Sequence, residues 1–167
     1  MSRPPSSARD SSCAYRRNEE AATATVHASA VLVGSRAMLI RGPAGSGKSR
    51  LALALIDAAS TGLIRFARLV SDDRVELTAS HGRLLLRPPS ALAGLIEVRG
   101  LGVRRIAFEA VAVAGLVIDL AAADGGRMPA TSAQIAEISG IRLPRLPLAA
   151  GADPLAAVVA TLHSEPT

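Results

Sequence analysis

RGPAGSGKSR, residues 41–50, is the stretch from which the rest of the chain is read. It holds G-x-x-x-x-G-K-[ST] at every fixed position: Gly42, Gly47, Lys48 and Ser49. The physics of phosphate binding needs each part. Glycines let the backbone curl round an anion at φ values that other residues resist. The N–H groups of the loop and of the helix that follows point at negative charge. A lysine reaches the terminal phosphates, and a serine hydroxyl can ligate Mg²⁺. Lys48 is the only lysine in the chain, and the other eighteen basic residues are arginine. An ammonium is therefore used where a phosphate loop needs one. The candidate nucleotide-binding residues are Gly42, Pro43, Ala44, Gly45, Ser46, Gly47, Lys48 and Ser49, and the expected ligand is ATP with Mg²⁺.

The flanks agree with a strand–loop–helix context. HASAVLVG and RAMLIRG are short apolar runs separated by Gly34–Ser35, which suits a tight hairpin. RLALALIDAAS places Leu51, Leu53, Leu55 and Ile56 on a helix buried on most sides, ended by Gly62. RFARLVSDD reads as a strand ending in two acids. RVELTAS and GRLLLRPP form a hairpin round His81–Gly82, closed by Pro88 and Pro89. SALAGL reads as one helical turn capped by Ser90, and IEVRGLG as a strand entering a glycine turn. EAVAVAGLVIDLAA is a long strand, DGGRMP a flexible loop, and residues 131–139 stay open between helix and strand. The prolines of IRLPRLPL confine it to a sheet edge. DPLAAVVATLH opens with Asp153 as N-cap and Pro154 at the first helical position. Together these give an α/β domain over 23–167: a mixed, strand-rich sheet with flanking helices after the loop and at the C-terminus.

Composition excludes several function classes. Aromatic residues are 2% of the chain, with no Trp, so single-stranded nucleic acid has no stacking platform here. The net charge is +5, but the arginines are scattered and adjacent only at Arg16–Arg17 and Arg104–Arg105, which argues against a nucleic-acid face. The apolar run 106–123 is broken by Glu109 and Asp119 and reads as buried strand, with no membrane span. Residues 1–22 are rich in Ser, Pro, Arg and Glu and are expected to be a disordered polar tail without a signal core. Cys13, the single cysteine, lies in that tail. No disulfide framework and no Cys/His metal spacing exist, which fits a reducing cytoplasm.

The candidate chemical groups are few. Asp72 and Asp73 end a strand, where neighbours point to opposite faces, so one can steady the metal or a loop while the other accepts a proton. Glu97, flanked by apolar residues before a glycine turn, has to be paired or functional. His27 sits at the start of the first strand. Arg127, in GGRMP, could close on a transferring phosphoryl group.

With VHASAVLVG, IRGPAGSGKSRLALALI, RLVSDDRVEL and IEVRGLGVRRI in place, the chain resembles the catalytic domain of HPr kinase/phosphorylase, a bacterial protein serine kinase built on a phosphate loop. The resemblance runs from roughly Val26 to Leu162, and IEVRGLG together with DDRVEL is its most specific part. It implies roles position by position. Asp73 would accept the proton of the target serine and Asp72 would be its neighbour. Lys48 would hold the transferring phosphate, and Ser49 and Glu97 would serve Mg²⁺. His27 would lie near the nucleophile, and Arg127 would be the mobile-loop arginine. The implied partner is an HPr-like phosphocarrier of a phosphotransferase system, and the implied assembly a homo-oligomer, since the family is typically hexameric. Longer members carry a further N-terminal domain, so the likeness is to the short stand-alone proteobacterial form. Dephosphorylating members have an Arg/Asn-bearing segment where this chain has PLAAGADPL, so the resemblance implies the kinase and does not extend to the phosphorylase.

Two other classes share the loop. A small-molecule kinase or NTPase would be expected to show an Arg-rich lid or an N-K-x-D motif, and neither is present. A nucleotide sensor would need Lys48 and Ser49 but no proton acceptor such as Asp73.

Overall fold

The computed structural model describes residues 23–164. The expected tail 1–22, with Cys13, and residues 165–167 lie outside the described residues. In chain order the elements are β1 (Thr23–Val26), β2 (Ser29–Val33), β3 (Arg36–Arg41), α1 (Lys48–Ser60), β4 (Ala67–Ser71), β5 (Val75–Ser80) and β6 (Arg83–Arg87). They continue with β7 (Leu95–Val98), β8 (Gly102–Arg105), β9 (Ala112–Leu120), β10 (Ile135–Ile138), β11 (Ile141–Leu148) and α2 (Pro154–His163).

The sheet runs β1–β5–β6–β9–β3–β2–β4, with β11 also on β9 and β10 on β11. The β3–β9 and β9–β11 pairs are parallel; the others are antiparallel. This is the mixed, strand-rich sheet expected from the hairpin signals. The period-2 pleat divides its apolar residues between two cores. On β3, Met38 and Ile40 join Val31, Leu51, Leu55, Leu69 and Ile118 under α1, whereas Ala37 and Leu39 face Val70, Leu77, Leu84, Leu86 and Val117. Because β5 and β6 pack on residues of their own sheet, the sheet curls over its second face.

α1 presents Leu51, Ala52, Leu55 and Ala58 to the first core, while Leu53 and Ile56 are half-buried and Asp57 is exposed. Each fully buried leucine contributes about 1.5–3 kcal/mol. The helix that starts inside the phosphate motif is therefore anchored by its whole length, and its N-terminus is held still. The β5–β6 hairpin turns at His81 and Gly82 with φ 49 and 72, the paired positive values that a tight two-residue turn requires. Asp153 caps α2 as expected, accepting from the Leu155 and Ala156 N–H groups, with Pro154 first in the helix.

Several sequence expectations need correction. β4 stops at Ser71, so Asp72 and Asp73 lie in the turn after the strand rather than on it. Ser90 opens a 3-10 turn but makes no capping hydrogen bond; the preceding Pro89 occupies the cap position. Residues 131–134 form a 3-10 turn and 135–138 the strand β10, so the ambiguous segment contains both. β7 pairs with β8 in a separate two-stranded sheet, a partner the apolar pattern did not reveal because every residue of β8 is exposed. β11 meets β10 through residues 141–144 and β9 through 145–148. One partner strand per position leaves room for its prolines.

Candidate active site

β3 ends at Arg41, and the phosphate loop begins at its carboxyl end with Gly42. Gly42 has φ 149, and a Cβ there would lie 2.7 Å from the Ser46 hydroxyl and 2.9 Å from the Leu120 carbonyl. Only glycine fits that crossing. Gly47 caps α1 in the left-handed conformation with no side-chain cap, so the first N–H groups of the helix lack a side-chain acceptor. The Ser46 hydroxyl is buried and has no hydrogen-bond partner among the described residues. Lys48 is buried, and its Nζ donates to the Gly42 and Pro43 carbonyls at 3.0 Å each. Uncapped donors, an orphaned hydroxyl and a buried ammonium held only by neutral carbonyls fit an oxyanion cradle.

The two acids diverge sharply. The Arg74 N–H donates to the Asp72 carbonyl at 2.8 Å, closing a three-residue γ-turn centred on Asp73, whose φ is 65. Such a turn is strained, and a non-glycine residue there costs on the order of 1–2 kcal/mol. The Ser71 hydroxyl braces the turn by donating to the Arg74 carbonyl. This turn, rather than strand alternation, sends the two side chains apart. Asp72 is 3% exposed and accepts from the Ser29 hydroxyl (2.5 Å), the Ser49 hydroxyl (2.9 Å) and the Glu97 N–H (3.2 Å). It ties β2, α1 and β7 together. Asp73 is 65% exposed and meets His27 Nε2 at 3.4 Å.

These groups converge on one cavity of about 790 Å³. Ala44 through Ser49, Asp72, Asp73, His27 and Glu97 all line it. Glu97, on β7, is exposed and open to the cavity, and its backbone N–H is fixed to Asp72. Gly42 and Pro43 do not line the cavity; they act through the carbonyls that hold Lys48. Arg127 is exposed and is not brought to the cavity wall. Among the described residues no group of three His, Cys, Asp or Glu could by itself hold a metal.

The wall also contains residues that motif reading did not single out. Ser29 is fully buried against Asp72, and nothing in a serine at the start of an apolar strand announces this. Arg50 and Arg99 also line the cavity. Their positions, one residue after Ser49 and two after Glu97, were the available signal.

Comparison with known proteins places the chain in a family. The family model of the HPr serine kinase C-terminal domain matches residues 18–115, more than half of the chain. The HPr kinase/phosphorylase of Clostridium beijerinckii is 38% identical over 89 residues, 53% of this chain and 27% of that protein. That of Streptococcus thermophilus is 37% identical over 90 residues, again 53% and 27%. The chain thus spans about a quarter of the length of these relatives. The solved structure of the Hpr(Ser) kinase/phosphatase from Coxiella burnetii superposes with a TM-score of 0.65 at 26% identity, covering 84% of this chain and 90% of that one. The family model ends before the segment carrying Arg127. On the phosphate loop, the acid pair and these matches together, the chain belongs to the HPr serine kinase C-terminal domain family.

Proposed function

We propose that this domain transfers the γ-phosphate of ATP to a serine hydroxyl of an HPr-like phosphocarrier protein. The observation that carries the reading is the exposed Asp73–His27 pair on the same cavity as Lys48 and Ser49. A nucleotide sensor would need the second pair and would have no use for the first.

Each residue has work that its surroundings suit. Lys48 lies where it can exchange its loop carbonyls for phosphate oxygens, charge-assisted contacts that are roughly twice as strong. Asp73, open to the cavity, accepts the proton as the serine oxygen bonds to phosphorus and the bond to the leaving diphosphate breaks. A serine hydroxyl has a very high pKa, so the position of the base matters more than its strength. His27 orients that carboxylate. Asp72 stays in place, fixing the Ser49 hydroxyl and the backbone of Glu97. Ser49 and Glu97 are the residues that would hold Mg²⁺. When bound, the cation neutralises charge on the phosphate oxygens. Arg127 would join the phosphates after its segment closes, and Arg50 and Arg99 add positive charge at the rim.

The reading carries a cytoplasmic setting and self-association with it. Among the described residues no helix is long and apolar enough to cross a membrane. PLAAGADPL supplies neither Arg nor Asn before α2, which supports a kinase without the reverse reaction. Labelled ATP with Mg²⁺ and purified HPr-like carriers tests it: transfer to a serine is expected, and ATP binding without transfer to any carrier would overturn it.

A further inference from the structure

Beside the phosphate loop lies a charged cluster that the chemistry above does not use. Arg41 ends β3, and Asp119 faces it in register on β9. Asp119 accepts from Arg41 Nε and Nη2 at 2.7 Å each, and from Arg145 Nε, on β11, at 2.5 Å. Burial alone would raise the Asp119 carboxyl, but hydrogen bonds from the two arginines outweigh it and hold the group below its ordinary value. Arg145 does more than neutralise Asp119. Its Nη1 donates to Asp124 at 2.6 Å and to the Ala133 carbonyl at 2.8 Å, and its Nη2 to the other Asp124 oxygen at 3.0 Å. One guanidinium therefore grips the segment after β9 on both sides of Arg127. That segment leaves β9 at Leu120, whose carbonyl abuts Gly42 of the phosphate loop. Arg127 itself is exposed and has no ion pair among the described residues.

We infer that Arg145 is a positioning residue: it clamps both flanks of the 121–134 segment to the strand end beside the phosphate loop and so sets where Arg127 sits. Its catalytic consequence rests on the phosphoryl-transfer reading above; the clamp itself does not. Only arginine suits the position, because three acceptors in different directions need its rigid fork of donors. Lysine would satisfy Asp119 or Asp124 but not both flanks.

The test uses the full chain with Asp124→Asn, Arg145→Lys, Arg127→Ala and the Asp124→Asn/Arg127→Ala double variant. Asp124 is half-exposed, so Asp124→Asn leaves the fold intact. Native-state trypsin cleavage after Arg127, read by mass, reports the clamp without any activity. It is expected to quicken about fivefold in Asp124→Asn and in Arg145→Lys, with cleavage after Arg83 unchanged. In the transfer assay Asp124→Asn should lower kcat severalfold at unchanged KM for ATP, and the double variant should be no slower than Arg127→Ala. Unchanged cleavage after Arg127 in both single variants, or additive losses of kcat, would overturn the clamp. If the wild type transfers no phosphate while cleavage quickens, the clamp stands and the kinase reading fails.

Discussion

Replacing Gly42 by alanine separates the two demands the phosphate loop makes on its backbone. Gly42 has φ 149, outside the range of L-residues, and the added Cβ would sit 2.9 Å from the Leu120 carbonyl and 2.7 Å from the Ser46 hydroxyl. The hydroxyl can rotate away, but the carbonyl belongs to β9 and cannot. Strain contributes about 1–3 kcal/mol and overpacking a further 1–3. Gly45 is the internal control, because it has φ 76 but open space on every side. Gly45→Ala should cost only the left-handed penalty of about 1–2 kcal/mol. At about 2–4 °C per kcal/mol for a domain of this size, Gly42→Ala should melt roughly 4–24 °C below wild type and Gly45→Ala roughly 2–8 °C below. Thermal melts by circular dichroism, with ATP titration beside them, measure both. Equal losses in the two variants would refute the claim that the Leu120 backbone, and not backbone conformation alone, dictates glycine at 42.

The remaining predictions address charge and the metal. Asp119→Asn should destabilise the fold by about 3 kcal/mol at neutral pH by leaving Arg41 and Arg145 without their shared carboxylate. Because the folded-state pKa of Asp119 is depressed, its contribution is complete above the unfolded value of 3.8 and is lost as pH falls through the folded one. The gap between wild type and variant in urea melts should therefore close on acidification below about pH 4. Asp72→Ala should cost about 2–4 kcal/mol in urea melts, since the Ser29 hydroxyl and the Glu97 N–H lose their buried acceptor. Ser49→Ala should weaken ATP binding about tenfold in the presence of Mg²⁺ and little in EDTA, as titration calorimetry would report.

Much of this architecture was legible because its signals are local. The phosphate loop, the turns at Gly34–Ser35 and His81–Gly82, and the Asp153–Pro154 helix start each follow from a few adjacent residues. The parallel β3–β9 pairing was not legible, because it joins residues as far apart as Arg41 and Asp119, 78 positions along the chain, in strands whose apolar patterns suit many registers. Nor was β8, whose side chains are all exposed and carry no burial pattern. At the site, Asp72 and Asp73 were found by their adjacency, yet alternation on a strand gave the wrong reason for their divergence; a γ-turn braced by Ser71 separates them. Ser29 and Arg145 were missed, since their partners lie 43 and 26 residues away.

The most direct measurement of the central claim is phosphoryl transfer from labelled ATP with Mg²⁺ to HPr-like proteins by the wild type and Asp73→Asn side by side. The Asp73 side chain is 65% exposed, so the variant should fold and bind ATP as the wild type does. The account requires serine phosphorylation by the wild type and its loss, by about 10²-fold or more, in the variant. Equal transfer by both proteins would contradict it.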